Sequence, residues 1–99
     1  MQTSERRIVT IVAETAIESR LIEDVKRLGA QGYSVGRVRG EGTTGQHLQD
    51  VSGPSVRLET IVSETVADRI FEHLAAAYFG RFAVVAWVTS AHVLRSERF

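Results

Sequence analysis

Cysteine is absent from this 99-residue chain, and proline occurs only once. Without cysteine the chain can form neither a disulfide nor a thiolate metal site, which fits a reducing compartment. No apolar run is long enough to cross a bilayer, and the apolar residues before Glu14 are too few for a signal peptide. We therefore expect an unprocessed cytoplasmic protein without membrane insertion.

A charge excess of either sign is also missing, because twelve Lys and Arg residues balance twelve Asp and Glu residues. Nucleic acids and anionic membranes attract proteins with a strong positive field, so neither is an expected partner. The predicted first and third strands offer Ile, Val and Leu where an RNA-binding sheet needs stacking aromatics. The length fits a single domain spanning residues 1–99.

The first half of the chain has the pattern of a strand, a helix and a second strand. Residues 8–13 are largely β-branched and predict a strand, and Thr15 and Glu18 have the spacing of a capping box that begins a helix. Residues 33–39, YSVGRVR, predict the next strand. Apolar side chains at helical spacing and two glycines mark the helix and its end: Ile17, Leu21, Val25, Leu28, Gly29 and Gly32.

The second half repeats this order, and IVAET at 11–15 returns as IVSET at 61–65. Residues 56–62 and 82–88 predict strands, with Ser63 or Thr65 as the cap of the helix between them. An α+β fold of ferredoxin-like βαββαβ type follows, with both helices on one face of an antiparallel sheet. The second helix is indicated by a stripe of Val66, Ile70, Leu74 and Ala77, and it ends before Gly80.

The predicted last strand is apolar on both faces, with Val84 and Ala86 on one side and Val85 and Trp87 on the other. Two helices can cover only one face of the sheet. The other face needs a partner, and a further copy of the chain in a closed ring or a dimer supplies one.

Gly40, Gly42 and Gly45 follow the second predicted strand, close to Arg37 and Arg39. Glycine-rich backbone can present N–H groups to an anion, although a flexible hairpin loop has the same composition. Residues 40–54 hold few large apolar side chains, so we expect this segment to be mobile until a ligand binds.

The C-terminal tail adds Arg95 and Arg98, whose guanidinium groups suit phosphate if the tail folds over a subunit boundary and are otherwise solvated. His47, His73 and His92 lack the spacing of metal ligands, and no nucleophile or metalloprotease motif is present. Glu14 and Glu64 fit helix-terminal acids better than catalytic ones. The sequence predicts no catalytic residue and no metal site.

Residues 28–42, LGAQGYSVGRVRGEG, resemble the segment that leads into the T-loop of PII signalling proteins. The tail VLRSERF at 93–99 is also similar to the end of PII-like proteins. This resemblance implies a homotrimer whose sheets face inward and which binds adenine nucleotides in clefts between neighbouring subunits. The matching positions are Gly29, Gly32, Tyr33, Ser34, Val35, Val38, Gly40 and Gly42.

The resemblance also implies roles for particular residues of this chain. Val12 and Ser34 would contact the base, and the backbone around Gly40 would line the cleft. The implied nucleotide-binding set is Val12, Ser34, Gly40, Glu41, Gly42, Gly80, Arg81, Arg95 and Arg98, and the implied bicarbonate set is Arg39, Gly40, Glu41, Gly42, Thr43 and Thr44.

The chain departs from nitrogen-regulatory PII proteins before its last strand, where YFGRF at 78–82 replaces the phosphate loop TGxxGDGK. ADP, AMP or a cyclic nucleotide is therefore expected rather than ATP. No tyrosine lies between Gly40 and Ser55, which excludes uridylylation of a loop tyrosine. These departures resemble the PII-like branch linked to inorganic carbon.

That branch implies a non-catalytic sensor that acts through a T-loop at about 41–54 and a C-terminal segment at about 91–99, with a bicarbonate transporter or a carboxysome-related protein as partner. The alternative is a trimeric divalent-metal-binding protein of the cation-tolerance type, which shares the architecture. An acylphosphatase-like hydrolase is less compatible, because AETAIESR after the first strand is acidic and lacks glycine.

Overall fold

The computed structural model describes residues 2–40 and 53–94 of the chain. In this part of the chain the elements follow the order strand, helix, strand, strand, helix, strand, which confirms the predicted βαββαβ arrangement. A short 3₁₀ turn, Thr15–Ile17, precedes the first helix. The elements are β1 (Ser4–Glu14), α1 (Glu18–Arg27), β2 (Ser34–Gly40), β3 (Gly53–Val62), α2 (Glu64–Ala77) and β4 (Val84–Val93).

The strands form one antiparallel sheet in the order β2-β3-β1-β4, which is the ferredoxin-like α+β fold. Both helices pack on one face of the sheet, the face of Val9, Ile11 and Leu58. We call the opposite side the open face. It carries Arg6, Ile8, Thr10, Val12, Glu14, Ser34, Ser55, Arg57, Glu59, Ile61, Val85 and Trp87.

The core lies between the sheet and the helices and contains most of the predicted apolar stripes. Ile17, Leu21 and Val25 of the first stripe are buried, as are Ile70 and Leu74 of the second. Tyr78, which follows the last residue of α2, is completely buried and was not predicted as a core residue. The remaining buried apolar residues are Val9, Ile11, Ala13, Ala30, Val56, Leu58, Val62 and Ala67.

The two repeated pentapeptides both lie at strand-to-helix corners, but the two corners are built differently. Ser63 caps α2, and its hydroxyl accepts a hydrogen bond of 3.2 Å from the Val66 N–H. Ala13 occupies the equivalent position in the first half and has no side-chain acceptor. There β1 continues to Glu14, and the chain enters α1 through the 3₁₀ turn.

The predicted capping box at Thr15 and Glu18 is therefore wrong. Neither the 3₁₀ turn nor α1 has a side-chain cap, and the Thr15 hydroxyl instead donates a 3.3 Å hydrogen bond to the Pro54 carbonyl. The tertiary contact with the start of β3 takes up the group that a local cap would use.

Gly29 ends α1 as predicted, and the backbone geometry explains the choice of glycine. Its φ of 125° lies in the left-handed region that other residues avoid. The Gly29 N–H donates to the Lys26 carbonyl and the Ala30 N–H donates to the Val25 carbonyl, which is the Schellman pattern.

Three strands extend beyond the predicted limits because pairing with neighbours continues past the apolar runs. β1 begins at Ser4, which pairs with Val93 of β4. At the opposite end of the sheet, Gly53 pairs with Gly40 and Pro54 pairs with Arg39, so both residues belong to β3 and not to the predicted loop at 41–54. The predicted mobility of that loop concerns residues that lie mainly outside the described ones.

Candidate functional site

A pocket of about 500 Å³ lies on the open face, where β3 ends and β2 begins. Ile8 and Ile61 are direct neighbours across β1 and β3 and form apolar parts of its lining. Residues 31–33, which precede β2, provide its edge. The complete lining is Ile8, Gln31, Gly32, Tyr33, Ser34, Glu59, Thr60 and Ile61.

The carboxylate of Glu59 is the charged group of this pocket, and two neighbours hold it in place. The Thr10 hydroxyl, on a residue that is only 1% exposed, donates a hydrogen bond of 2.8 Å to Glu59 Oε2. Arg57 donates to the same oxygen at 3.3 Å, and its guanidinium lies 5.5 Å from the centre of the Trp87 ring. Both contacts use Oε2, so among the described residues Oε1 remains available to accept a hydrogen bond from a ligand.

A buried hydroxyl fixes the backbone at the edge of the pocket. Thr60 is 2% exposed, and its hydroxyl donates a hydrogen bond of 2.5 Å to the Gly32 carbonyl. This bond ties the segment before β2 to the end of β3. The edge that contains Tyr33, itself 40% exposed, is therefore held to the sheet.

Of the residues expected to bind a nucleotide, Ser34 lines the pocket, and Val12 and Gly40 do not. Val12 lies on the open face between Arg57 and Val85, two residues beyond Thr10 along β1 and therefore farther from the pocket. Gly40 ends β2, six residues after Ser34. At about 3.3 Å per residue, roughly 20 Å separates the two ends of the strand.

Gly80, Arg81 and Arg39 lie near the same end of the sheet as Gly40. The turn after α2 contains Gly80 and Arg81, and the Arg81 N–H donates to the Tyr78 carbonyl at 2.9 Å. Ala83 then joins this end to β1, because its N–H donates to Glu14 Oε2 at 2.8 Å. Ser34 thus lies at the pocket end of the sheet, while Gly40, Gly80, Arg81 and Arg39 lie near the opposite end, and one chain does not bring them together. The predicted residues outside the described ones are Glu41, Gly42, Thr43, Thr44, Arg95 and Arg98.

Most of the pocket lining was not predicted from the sequence. Glu59, Thr60 and Ile61 were assigned only to a strand, and Ile8 was assigned only to the first strand. Their proximity to residues 31–34 depends on the pairing of β1, β3 and β2, which the residue pattern of each strand does not specify.

A second polar cluster joins the two helices, on the face of the sheet opposite the open face. Asp24 Oδ2 accepts a hydrogen bond of 2.5 Å from the Tyr78 hydroxyl and lies 2.9 Å from His73 Nε2. Arg27 donates to Asp24 Oδ1 at 3.2 Å, and the Arg20 guanidinium lies 5.1 Å from the centre of the Tyr78 ring.

The cluster shifts the pKa values of two of its members. Burial alone would raise the pKa of Asp24, but the hydrogen bonds from Tyr78, His73 and Arg27 outweigh it, and the pKa falls below the ordinary 3.8. Burial, and then the hydrogen bond to Asp24, raise the pKa of the Tyr78 hydroxyl well above its ordinary value. The Asp24 carboxylate is thus kept ionised and the Tyr78 phenol is kept protonated.

Metal-binding groups are dispersed in the part of the chain that the structure describes. Within residues 2–40 and 53–94, no three His, Asp or Glu side chains are arranged to hold a metal ion. His73 contacts Asp24, and His92 is exposed on β4. No helix among the described residues is long and apolar enough to span a membrane.

Comparison with known proteins identifies relatives of the whole chain. The family model for nitrogen regulatory protein P-II matches residues 6–98. A PII-like signalling protein from Thermus thermophilus is 46% identical, with a TM-score of 0.85 over 100% of this chain and 99% of that one. No curated protein sequence matches this chain significantly.

More distant structures share the fold. CPII from Thiomonas intermedia, bound to ADP, AMP and acetate, is 19% identical, with a TM-score of 0.86 over 100% of this chain and 98% of that one. The same protein bound to ADP, AMP and bicarbonate is 18% identical, with a TM-score of 0.78 over 99% of this chain and 100% of that one. The family match over residues 6–98 and the high identity to the Thermus protein show that this chain belongs to the nitrogen regulatory protein P-II family.

Proposed function

We propose that this protein is a non-catalytic sensor that binds an adenine nucleotide in the open-face pocket. ADP and AMP are the preferred ligands, bicarbonate binds beside them, and binding regulates inorganic-carbon metabolism through the T-loop at about 41–54. The pocket carries this proposal, because it offers apolar lining residues, an aromatic residue and a fixed carboxylate in a volume of about 500 Å³.

The chemistry of the lining suits a heteroaromatic base attached to a sugar. Ile8 and Ile61 offer apolar surface for a flat ring, while Glu59 and Ser34 offer hydrogen-bonding groups to amino or hydroxyl donors. Because Thr10 and Arg57 already orient the carboxylate, a ligand that donates to Glu59 does not need to reorganise it.

The distance between Ser34 and most of the other predicted residues favours a site that two subunits complete. Ser34 and the pocket lie at one end of β2, and Gly40, Gly80 and Arg81 lie near the other end, about 20 Å away along the strand. A homotrimer in which the pocket of one subunit faces the Gly40 end of its neighbour brings base-binding and phosphate-binding residues together. The exposed Trp87 supports contact between copies, since it leaves apolar surface on the open face.

The choice of ligands is supported by relatives and by the chain itself. CPII has been solved with ADP, AMP and bicarbonate and shares the fold of this protein. The turn between α2 and β4, YFGRFA at 78–83, lacks the several glycines and the lysine that would hold a γ-phosphate. This difference favours ADP or AMP over ATP. A cytoplasmic location and a bicarbonate transporter or carboxysome-related partner complete the proposal.

Isothermal titration calorimetry with AMP, ADP, ATP and cyclic AMP, each with and without bicarbonate, tests the nucleotide site directly. We expect saturable binding of ADP or AMP that bicarbonate strengthens. Glu59→Gln removes the pocket charge and should weaken binding about tenfold, the size expected for losing one hydrogen bond to a charged group.

Glu72→Gln is the matched control, because Glu72 lies exposed on α2, away from the pocket, and should leave the affinity unchanged. If the unmodified protein binds none of the four nucleotides under any of these conditions, the proposed function is wrong. A metal-dependent thermal shift would then test the cation-tolerance alternative.

A further inference from the structure

We propose that Arg6 binds the phosphate group of the nucleotide and so distinguishes a nucleotide from a nucleoside. This inference rests on the proposed function and assigns a role to a residue at the start of β1. Three features of Arg6 support it: the face on which it lies, the absence of a counter-ion among the described residues, and its position beside the pocket.

The two consecutive arginines of β1 point to opposite faces of the sheet. Arg7 lies on the helix side, where its guanidinium is 3.3 Å from Glu64 and 3.5 Å from Glu5. Because side chains alternate along a strand, Arg6 lies on the open face. Among the described residues, the chain thus places one neutralised arginine and one arginine without a counter-ion at adjacent positions.

The other charged side chains on the open face already have partners. Arg57 pairs with Glu59 at 3.3 Å, and Glu14 accepts a hydrogen bond from the Ala83 N–H. Among the described residues, no carboxylate pairs with the Arg6 guanidinium. Its Nε is shielded from solvent and lacks a hydrogen-bond partner there, which is unusual because buried polar groups are nearly always bonded. The Nε–H lacks an acceptor, which a phosphate oxygen would supply.

The register of β1 puts this charge next to the pocket. Arg6 and Ile8 are two residues apart on the same face, a separation of about 7 Å along the strand, and Ile8 lines the pocket. Arg6 lies just beyond the last residue pair of β1 and β3, Arg7 with Val62, so no β3 residue lies directly opposite it. The guanidinium can therefore meet a phosphate attached to a sugar whose base occupies the pocket.

On the other side, Arg6 pairs with Ala91 of β4. A guanidinium binds phosphate with charge-assisted hydrogen bonds, and its planar fork of donors suits the phosphate oxygens.

Calorimetric titration of adenosine and AMP into three forms of the full chain tests this role: the unmodified protein, Arg6→Gln and Arg7→Gln. Adenosine carries the same base and ribose as AMP but no phosphate. We expect Arg6→Gln to weaken AMP about tenfold or more, as for the loss of a charge-assisted hydrogen bond. Its affinity for adenosine should stay within about twofold of the unmodified protein.

Arg7→Gln is the matched control, since it removes the same charge from the helix side and should change neither affinity. Arg6→Lys should retain part of the preference for AMP, and it keeps the test valid if Arg6→Gln fails to fold. Equal losses for adenosine and AMP, or an unchanged affinity for AMP, would overturn the role of Arg6 while leaving the pocket intact. Absence of adenine-nucleotide binding by the unmodified protein would overturn the proposed function together with this role.

Discussion

Removal of one hydroxyl from the core tests how much the polar cluster between the helices contributes to stability. Tyr78 is completely buried, and its hydroxyl donates a hydrogen bond of 2.5 Å to Asp24. In Tyr78→Phe the ring still packs against Phe82, whose centre lies 5.8 Å away, so the change removes little besides this hydrogen bond. A hydrogen bond to a charged group is worth about 1.5–3 kcal/mol.

The loss of stability expected for Tyr78→Phe lies toward the lower end of this range, because Asp24 keeps other hydrogen-bond partners. Arg27 at 3.2 Å and His73 at 2.9 Å still contact its two oxygens. We therefore expect Tyr78→Phe to lower the free energy of unfolding by about 1.5–2 kcal/mol. For a domain of this length, that corresponds to a melting temperature lower by roughly 6–16 °C.

The pH dependence gives a second, independent test. The folded-state pKa of Asp24 lies below its ordinary value of 3.8, so the stability it contributes is present above pH 3.8 and is lost as the pH falls through the folded-state pKa. The difference in free energy of unfolding between the unmodified protein and Tyr78→Phe should therefore be constant near neutral pH. It should shrink only below about pH 3.8.

The measurement is urea-induced unfolding of both proteins at equal concentration, followed by circular dichroism at neutral pH and at several acidic pH values. Equal concentration matters because association of subunits adds to the apparent stability. Tyr33→Phe is the control, because Tyr33 is 40% exposed, and its stability should be unchanged. A loss below about 0.5 kcal/mol at neutral pH would refute the value assigned to the hydrogen bond. A loss that persisted undiminished at the lowest pH would show that the Tyr78 hydroxyl does not stabilise the protein through the ionised Asp24 carboxylate.

Two further substitutions test the helix ends. Gly29→Ala should lower the free energy of unfolding by about 1–3 kcal/mol, because φ is 125° and a Cβ there would lie 3.0 Å from Val66 Cγ2. Gly36→Ala is the control, because a Cβ there would meet nothing within 4 Å, and it should destabilise the protein much less. Thermal unfolding of both variants measures the difference. Ser63→Ala should lower the free energy of unfolding by about 1 kcal/mol, because α2 loses its cap. Ser63→Asp should keep the stability of the unmodified protein, because aspartate is also a good cap. Equal melting temperatures for the two variants would contradict the capping role.

The two strand-to-helix corners show where a local residue pattern was sufficient to predict a helix cap and where it was not. Ser63 was predicted as one of two possible caps of α2, with Thr65 as the alternative. Ser63 is the cap, and the bond that its hydroxyl accepts from the Val66 N–H lies within four residues of chain. Thr15 was predicted to act in the same way, but its hydroxyl bonds to Pro54, 39 residues away. A local pattern does not report whether a distant acceptor competes for the same group.

The candidate site shows the same division. Ser34 was expected to contact the base because residues 28–42 resemble PII proteins; it lines the open-face pocket, and its contact with a nucleotide stays a prediction. Glu59 was not expected there, because its role depends on lying beside Thr10 of another strand and close to residues 31–34. Tyr78 was missed as a core residue because it follows the predicted end of the apolar stripe at Ala77.

The sequence alone was sufficient to predict the βαββαβ order, the apolar stripes of both helices and the glycine stop of α1. Each of these depends on residues within one or two turns or along a single strand, where spacing alone decides which side chains share a face. The resemblance of residues 28–42 to the segment before a T-loop also identified the family. The register of β1 against β3 and of β3 against β2 depends on the tertiary structure. That register brings Ile8, Ser34 and Glu59 into one pocket, because pairing between strands distant in the chain depends on how the whole sheet packs against its helices.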